Sequence, residues 1–423
     1  MSTPLQTGVL AVLLALGAPI AAQASEEIPG ASVESLLSLA KATNPEYASM
    51  RLEAQAAGER VTPAGALLDP RLRTELMDIT RMGEQNPSIL PGNVGSTRYT
   101  LMQDVPWFGK RDLKQKIAEF EVRSADGKAL TTWSELAAKI KTTQAQRYYL
   151  RDNEKLTQEI LALMQQLEKI SQARYAGGLA VQQDVIRAQV EQTNMRNELV
   201  ALQSERTQAN VRMNTLLARP ATAPLAAAEE PRPVPTSAQL DYEKLAQRVR
   251  SRNPQLFTEE ARIQAAEKNR ELTYKNRYPD FTFGIAPNQY QGAIKQWDLM
   301  VEINIPLQQA SRRAQEREAD VMLSAAQSRK EALANQVLSD LAENIAAIEA
   351  AQRSAALTSS SLHPQAELSF NSALAGYENG KLDFATLLDA QRQIRQAKQS
   401  QIKAQFEAQM RLAEIEKLIG EDL

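Results

Sequence analysis

The chain has 423 residues, no cysteine, one histidine, 5% aromatic residues and a formal charge of −2. That composition excludes thiolate or multi-histidine metal sites, disulfides and lipid attachment through an N-terminal cysteine. It gives no electrostatic footprint for a nucleic-acid partner. Ala, Gln, Glu, Arg, Lys and Leu dominate the middle of the chain, a mixture that favours long helices over compact globules.

Residues 8–22, GVLAVLLALGAPIAA, form an apolar run, and Ala22-Gln23-Ala24 supplies an A-x-A cleavage pattern. Residues 1–24 therefore read as a secretory signal peptide, with the departure that the n-region MSTPLQT holds no Lys or Arg. No later apolar run approaches the ~18 residues of a membrane-spanning helix.

Residues 32–60 read as one helix, capped by Ser32 and stopped by Pro63 and Gly65. Two short extended segments follow. Residues 70–79 alternate Leu72, Thr74 and Leu76 against Arg71, Arg73 and Glu75, and residues 97–105 set Tyr99, Leu101 and Val105 against Arg98, Thr100 and Asp104. A helix is predicted from Lys110 to about Ala173, broken at Tyr175-Ala176-Gly177-Gly178 and resumed over 181–218. Residues 219–237 carry Pro220, Pro224, Pro231, Pro233 and Pro235 and read as a linker.

The second half repeats this plan. Strands are predicted over 280–285, with Phe281, Phe283 and Ile285 on one face, and over 296–305, with Trp297, Leu299, Val301, Ile303 and Ile305 on one face. Helix follows over 311–361, an interruption at Pro364, a break at Tyr377-Glu378-Asn379-Gly380, and helix again over 383–419. Direct matches carry the duplication. Asn44-Pro45, Gln55-Ala56-Ala57 and Pro70 recur 209 residues later as Asn253-Pro254, Gln264-Ala265-Ala266 and Pro279. Ala173-x-Tyr175-x-x-Gly178 and Ala188-Gln189 recur 202 residues later as Ala375-x-Tyr377-x-x-Gly380 and Ala390-Gln391. The expected division is 1–24 signal peptide, 25–218 first repeat, 219–237 linker and 238–423 second repeat.

Four half-apolar strands cannot close a barrel, and open edges invite aggregation. Three chains would supply twelve strands, apolar outside and wet inside, as in a transmembrane barrel. On that reading Phe281, Phe283, Trp297, Leu299 and Val301 contact outer-membrane lipid. The alternative is a small soluble sheet packed on helices. The expected fold class is thus mainly α with a small β part: a trimeric 12-strand barrel continued by a long α-helical barrel.

The duplicated halves, the Asn-Pro near the first helix of each, the strand pairs ending at Pro106 and Pro306, and the turns Tyr175-Ala-Gly-Gly-Leu-Ala and Tyr377-Glu-Asn-Gly-Lys-Leu together resemble the TolC family of outer-membrane channels. The resemblance runs from about Val33 to Ile419. It implies a homotrimer in the bacterial outer membrane, with a helical tunnel across the periplasm. The tips would dock on a periplasmic adaptor coupled to an inner-membrane RND pump. The docking residues would be Gly177, Gly178 and Leu179 with Asn379, Gly380 and Lys381. Asp104-Val105-Pro106-Trp107-Phe108-Gly109-Lys110-Arg111 is similar to the heavy-metal (CusC/CzcC-like) division, which implies metal cations as cargo.

The resemblance further implies that Tyr377 and Asp184 hold the tip closed, with Leu382 standing where an Arg adds a second contact in one family pattern. It also implies an acidic pore ring at Asp389, with Asp383 as a second candidate. For Asp389 the competing reading is a surface acid paired with Arg392; for Asp383 it is a helix cap. No cofactor and no metal site are implied. An enzyme is not indicated, because no nucleophile–base pair or phosphate loop emerges and His363 sits beside Pro364. Met77, Met82, Met102 and Met300 read as packing or pore lining ahead of soft-metal contacts. A periplasmic adaptor would have one hairpin rather than two. Polypeptide export and drug efflux share the architecture and stay open as alternatives.

Overall fold

The computed structural model describes residues 28–423 apart from Glu229. The signal-peptide expectation lies outside the described residues. The N-terminal segment forms two helices, α1 (Val33–Thr43) and α2 (Pro45–Glu59), rather than the single helix predicted over 32–60, and a short α3 (Val61–Gly65) follows them. Asn44 is the reason: proline disfavours helical backbone in the residue before it, and Asn44 has ψ 120°. Its Oδ1 accepts the Tyr47 N–H at 3.0 Å and its Nδ2 donates to Leu216 O at 2.9 Å. Two further strands, β1 (Arg71–Met77) and β2 (Ser96–Val105), then lead into α4 (Lys110–Ala176) and α5 (Gln182–Leu216).

The second half comprises α6 (Tyr242–Arg252), α7 (Pro254–Lys275), β3 (Asp280–Tyr290), β4 (Ala293–Asn304), α8 (Gln309–Leu357), α9 (His363–Glu378) and α10 (Phe384–Ile419). Asn253 repeats the work of Asn44, accepting Leu256 N–H at 2.9 Å and donating to Leu418 O at 2.7 Å. The recurrent Asn-Pro thus caps one helix while pinning the end of another in both halves. Pro364 does not break the chain's course. A π turn over Thr358–Leu362 widens the helix ahead of it, and Pro364 falls in the first turn of α9, where a missing N–H costs least.

The sheet has the order β1-β2-β3-β4, antiparallel throughout. Among the described residues the outer edges of β1 and β4 have no partner strand. β3 runs five residues beyond the predicted end at Ile285, and β4 starts three residues before the predicted Gln296. Gln291 and Gly292, with φ of 49° and 84°, join them in the left-handed two-residue turn that suits strand twist. Pro287 is tolerated inside β3 because the β2–β3 ladder skips Ala286 and Pro287.

The helices form a wall. α5 packs on α4, α4 on α10, and α10 on α8 and α9, while α2 and α7 pack on α4 nearer the sheet. The cores are narrow. α1 packs Leu36 against Leu136 and Ile140 of α4, and α6 packs Leu245 and Val249 against Leu341 and Ile345 of α8. No described helix is long and apolar enough to cross a membrane.

Candidate functional site

The sheet separates two chemistries by register. Leu72 pairs with Leu101, Leu101 with Ile285, and Ile285 with Leu299, so one apolar row crosses all four strands. These four side chains are 69%, 49%, 46% and 80% exposed in the single chain. The neighbouring row pairs Phe283 with Val301, and beyond it Phe281 with Ile303. Trp297 opposite Pro287 extends the same face. A contiguous, exposed apolar face of this kind marks a surface that meets something other than water.

The opposite face is polar and internally bonded. Asp104 accepts Arg71 at 2.9 Å and Thr282 at 2.7 Å, and Asp298 accepts Asn288 at 2.7 Å and Gln296 at 2.8 Å. Met102 and Met300 both stand opposite Gly284 on this face. Their side chains fill the space that a Cβ at Gly284 would occupy. Met102 and Met300 thus pack, whereas Met77 and Met82 are exposed. Among the described residues no group of three His, Cys, Asp or Glu is placed to hold a metal.

Strand gives way to helix at a bonded junction. Gly109 has φ 77°, and it lets the chain turn from β2 into α4. Asp280 accepts both the Trp107 N–H and Lys110 Nζ at 2.8 Å, and the Trp107 ring stacks on Tyr278 at 5.1 Å. Trp107 and Lys110 therefore dock the first strand pair onto the second half.

At the far end of the wall the two turns are backbone copies. Leu179 N–H donates to Arg174 O and Lys381 N–H to Gly376 O, each at 2.8 Å, while Gly178 and Gly380 donate to Tyr175 O and Tyr377 O at 3.0 Å. Gly178 and Gly380 have φ of 70° and 72°. This is the helix-ending pattern that glycine permits. Gly177, Leu179, Asn379 and Lys381 are exposed around it.

Tyr377 lies 2% exposed beneath the second turn, its ring 5.3 Å from that of Phe384. Its hydroxyl reaches Asp184 Oδ2 at 3.4 Å, at the long end for such a bond. Burial, and then the Asp184 carboxylate, push the Tyr377 hydroxyl up to about 12, so it stays a donor. Leu382 packs over Gly376, where a Cβ would meet its side chain. Asp383 accepts Thr386 N–H at 2.8 Å and caps α10, and that bond holds its carboxyl below the usual range. Asp389 is exposed with Ala385, Arg392 and Gln393, and it accepts Gln393 Nε2 at 3.1 Å. Arg392 pairs with Glu191 on α5, not with Asp389.

Sequence reasoning missed Arg174. It sits in the last turn of α4, where a basic residue is unremarkable. Its partners on the second turn, Tyr377 and Glu378, lie about 200 residues away, so no local pattern announces them.

The sequence matches the Outer membrane efflux protein family over residues 36–219 and 245–421, and the chain belongs to that family. It is an outer-membrane efflux channel protein, a transport duct rather than an enzyme. No curated protein matches it. Among solved structures it is similar to the outer-membrane channel OprN, with 18% identity, a TM-score of 0.77, and 92% of this chain and 89% of that one covered. It is similar to CusC, with 16% identity, a TM-score of 0.78 and 92% of each chain covered. It is also similar to VceC of Vibrio cholerae, with 17% identity, a TM-score of 0.78, and 92% of this chain and 96% of that one covered. At these identities the likeness establishes the fold: a helical wall, a four-stranded sheet and an internal duplication.

Proposed function

We propose that three copies of this chain close a twelve-strand barrel in the outer membrane and pass metal cations outward from a periplasmic adaptor and an inner-membrane RND pump. The observation that carries the assembly is the apolar row Leu72–Leu101–Ile285–Leu299, which crosses a sheet with two free edges. Phe281, Phe283, Trp297, Leu299 and Val301 then face lipid, and β4 of one copy pairs with β1 of the next. The paired turns at 177–179 and 379–381 are the adaptor-docking tips. The metal reading is supported by the Asp104–Arg111 segment and its resemblance to the heavy-metal division. Gene deletion followed by growth on metals, dyes and antibiotics tests it. Hypersensitivity to metals alone is the expected result; loss of a secreted protein with unchanged sensitivities would replace it with polypeptide export.

The tip would be held closed in part by Tyr377 and Asp184. Their bond is long, so its loss should cost little, about 0.5–1.5 kcal/mol. Tyr377→Phe should therefore raise the open probability in planar bilayers by roughly two- to tenfold. No change in conductance or open probability would remove Tyr377 from the gate.

Asp389 would face the pore, since its helix face is exposed and Arg392 is engaged elsewhere. Three-fold symmetry would bring three carboxylates together and favour cations. Asp389→Ala should lower cation selectivity and weaken block by multivalent cations. Unaltered selectivity and block would place Asp389 outside the constriction.

A further inference from the structure

We propose that Arg174 is the positioning residue that ties the two tip turns of one chain together. Its guanidinium lies over the Tyr377 ring at 4.9 Å. One nitrogen donates to Leu179 O of its own turn at 3.1 Å, and the other donates to Glu378 O of the second turn. Its planar fork thus serves two carbonyls on two turns while its face covers the aromatic ring beneath. The fit extends to Gly380, where an added Cβ would stand 3.4 Å from the guanidinium.

Three features make this contact the stronger tie. Tyr377 and Asp184 share a single bond 3.4 Å long, whereas Arg174 makes two charge-assisted bonds, both shorter. The Leu382 side chain adds apolar packing on Gly376, and its N–H donates to Gly376 O at 3.2 Å, both within the second turn. The Arg174 side chain is half-buried, and its Nε has no partner among the described residues, so the group is held by the contacts of its two terminal nitrogens and its face. By stacking on Tyr377 it also fixes the ring whose hydroxyl points at Asp184.

The gating consequence rests on the reading of these turns as the channel's closed end, and the test separates the two. The chain has no cysteine, so spin labels can be placed uniquely at Leu179→Cys and Lys381→Cys. Labelled chains are diluted with unlabelled ones so that distances within one chain dominate. With Arg174→Gln, the distance distribution between the labels should broaden in the intact trimer. Open probability in planar bilayers should rise at least about tenfold, the loss expected for a charge-assisted tie. Arg174→Lys should lie between the two, because an ammonium can stack on the ring but serves one carbonyl at a time. An unchanged distance distribution in Arg174→Gln overturns the proposal. Tyr377→Phe, measured alongside, reads the lock separately: if it is silent while Arg174→Gln loosens the turns, the lock fails and the tie stands. Should Arg174→Gln yield no trimer, Arg174→Lys carries the test, and a wild-type distance distribution there overturns the tie.

Discussion

Glu416→Gln is expected to destabilise the folded chain by about 3–5 kcal/mol, the range for breaking a buried ion pair by removing one partner. The Glu416 side chain is 2% exposed on α10. Its carboxylate accepts Lys141 Nζ at 2.7 Å from α4, both Arg232 terminal nitrogens at 2.6 and 2.8 Å from the segment between the repeats, and the Leu423 N–H at 3.1 Å. Lys141 is 4% exposed, so neutralising Glu416 leaves a cation out of water with only Asp422 beside it. The carboxylate in turn holds the Arg232 guanidinium above its usual range. Glu421 is the control. It pairs with Arg248 and Arg252, but all three side chains are partly exposed, and such pairs contribute about 0–1 kcal/mol. Urea unfolding followed by far-UV dichroism measures both. If Glu416→Gln costs no more than Glu421→Gln, the buried carboxylate does not hold the two halves together.

Much of the fold was legible where periodicity is strong. The alternation from Trp297 to Ile303 gave β4 its faces, and the recurrent turns gave the hairpins. Legibility failed where a single residue carries the structure. Asn44 divides the first helix, and the signal was present in the proline that follows it. β3 beyond Ile285 was hidden because Ala-Pro-Asn-Gln has no β-branched or aromatic pattern; its pairing is a property of the ladder, not of the segment. Pro364 read as an interruption because a π turn has no sequence signature strong enough to predict.

The candidate site divides the same way. Gly178 and Gly380 stand out because the turns require positive φ, and Tyr377 is singled out by the family resemblance, at the place where Tyr175 stands in the first repeat. The two tyrosines nevertheless differ: Tyr175 is 48% exposed and Tyr377 is buried. That asymmetry follows from packing between α9, α10 and α5, which a repeat alone does not encode. Arg174, Glu416 and Asp280 act on partners far along the chain, and only the assembled wall brings each to its neighbours.

Leu299→Lys should destabilise the assembled barrel by about 2–4 kcal/mol in a lipid bilayer if it lies near the membrane midplane. The reasoning turns on a sign. In the single chain Leu299 is 80% exposed, so in water its replacement by lysine would remove apolar surface from solvent and leave stability within about ±0.5 kcal/mol. In hydrocarbon the same ammonium has no water and no acceptor, because its neighbours across the strands are Ile285 and, one strand further, Leu101. Gln296 is the comparison site. It lies on the opposite, polar face, where it donates to Asp298 at 2.8 Å, and Gln296→Lys keeps a donor beside that carboxylate. Urea unfolding from phospholipid vesicles should therefore show a large loss for Leu299→Lys and little for Gln296→Lys. Equal effects at the two positions, or a soluble Leu299→Lys protein as stable as the parent without lipid, would show that the apolar row faces water and not a membrane.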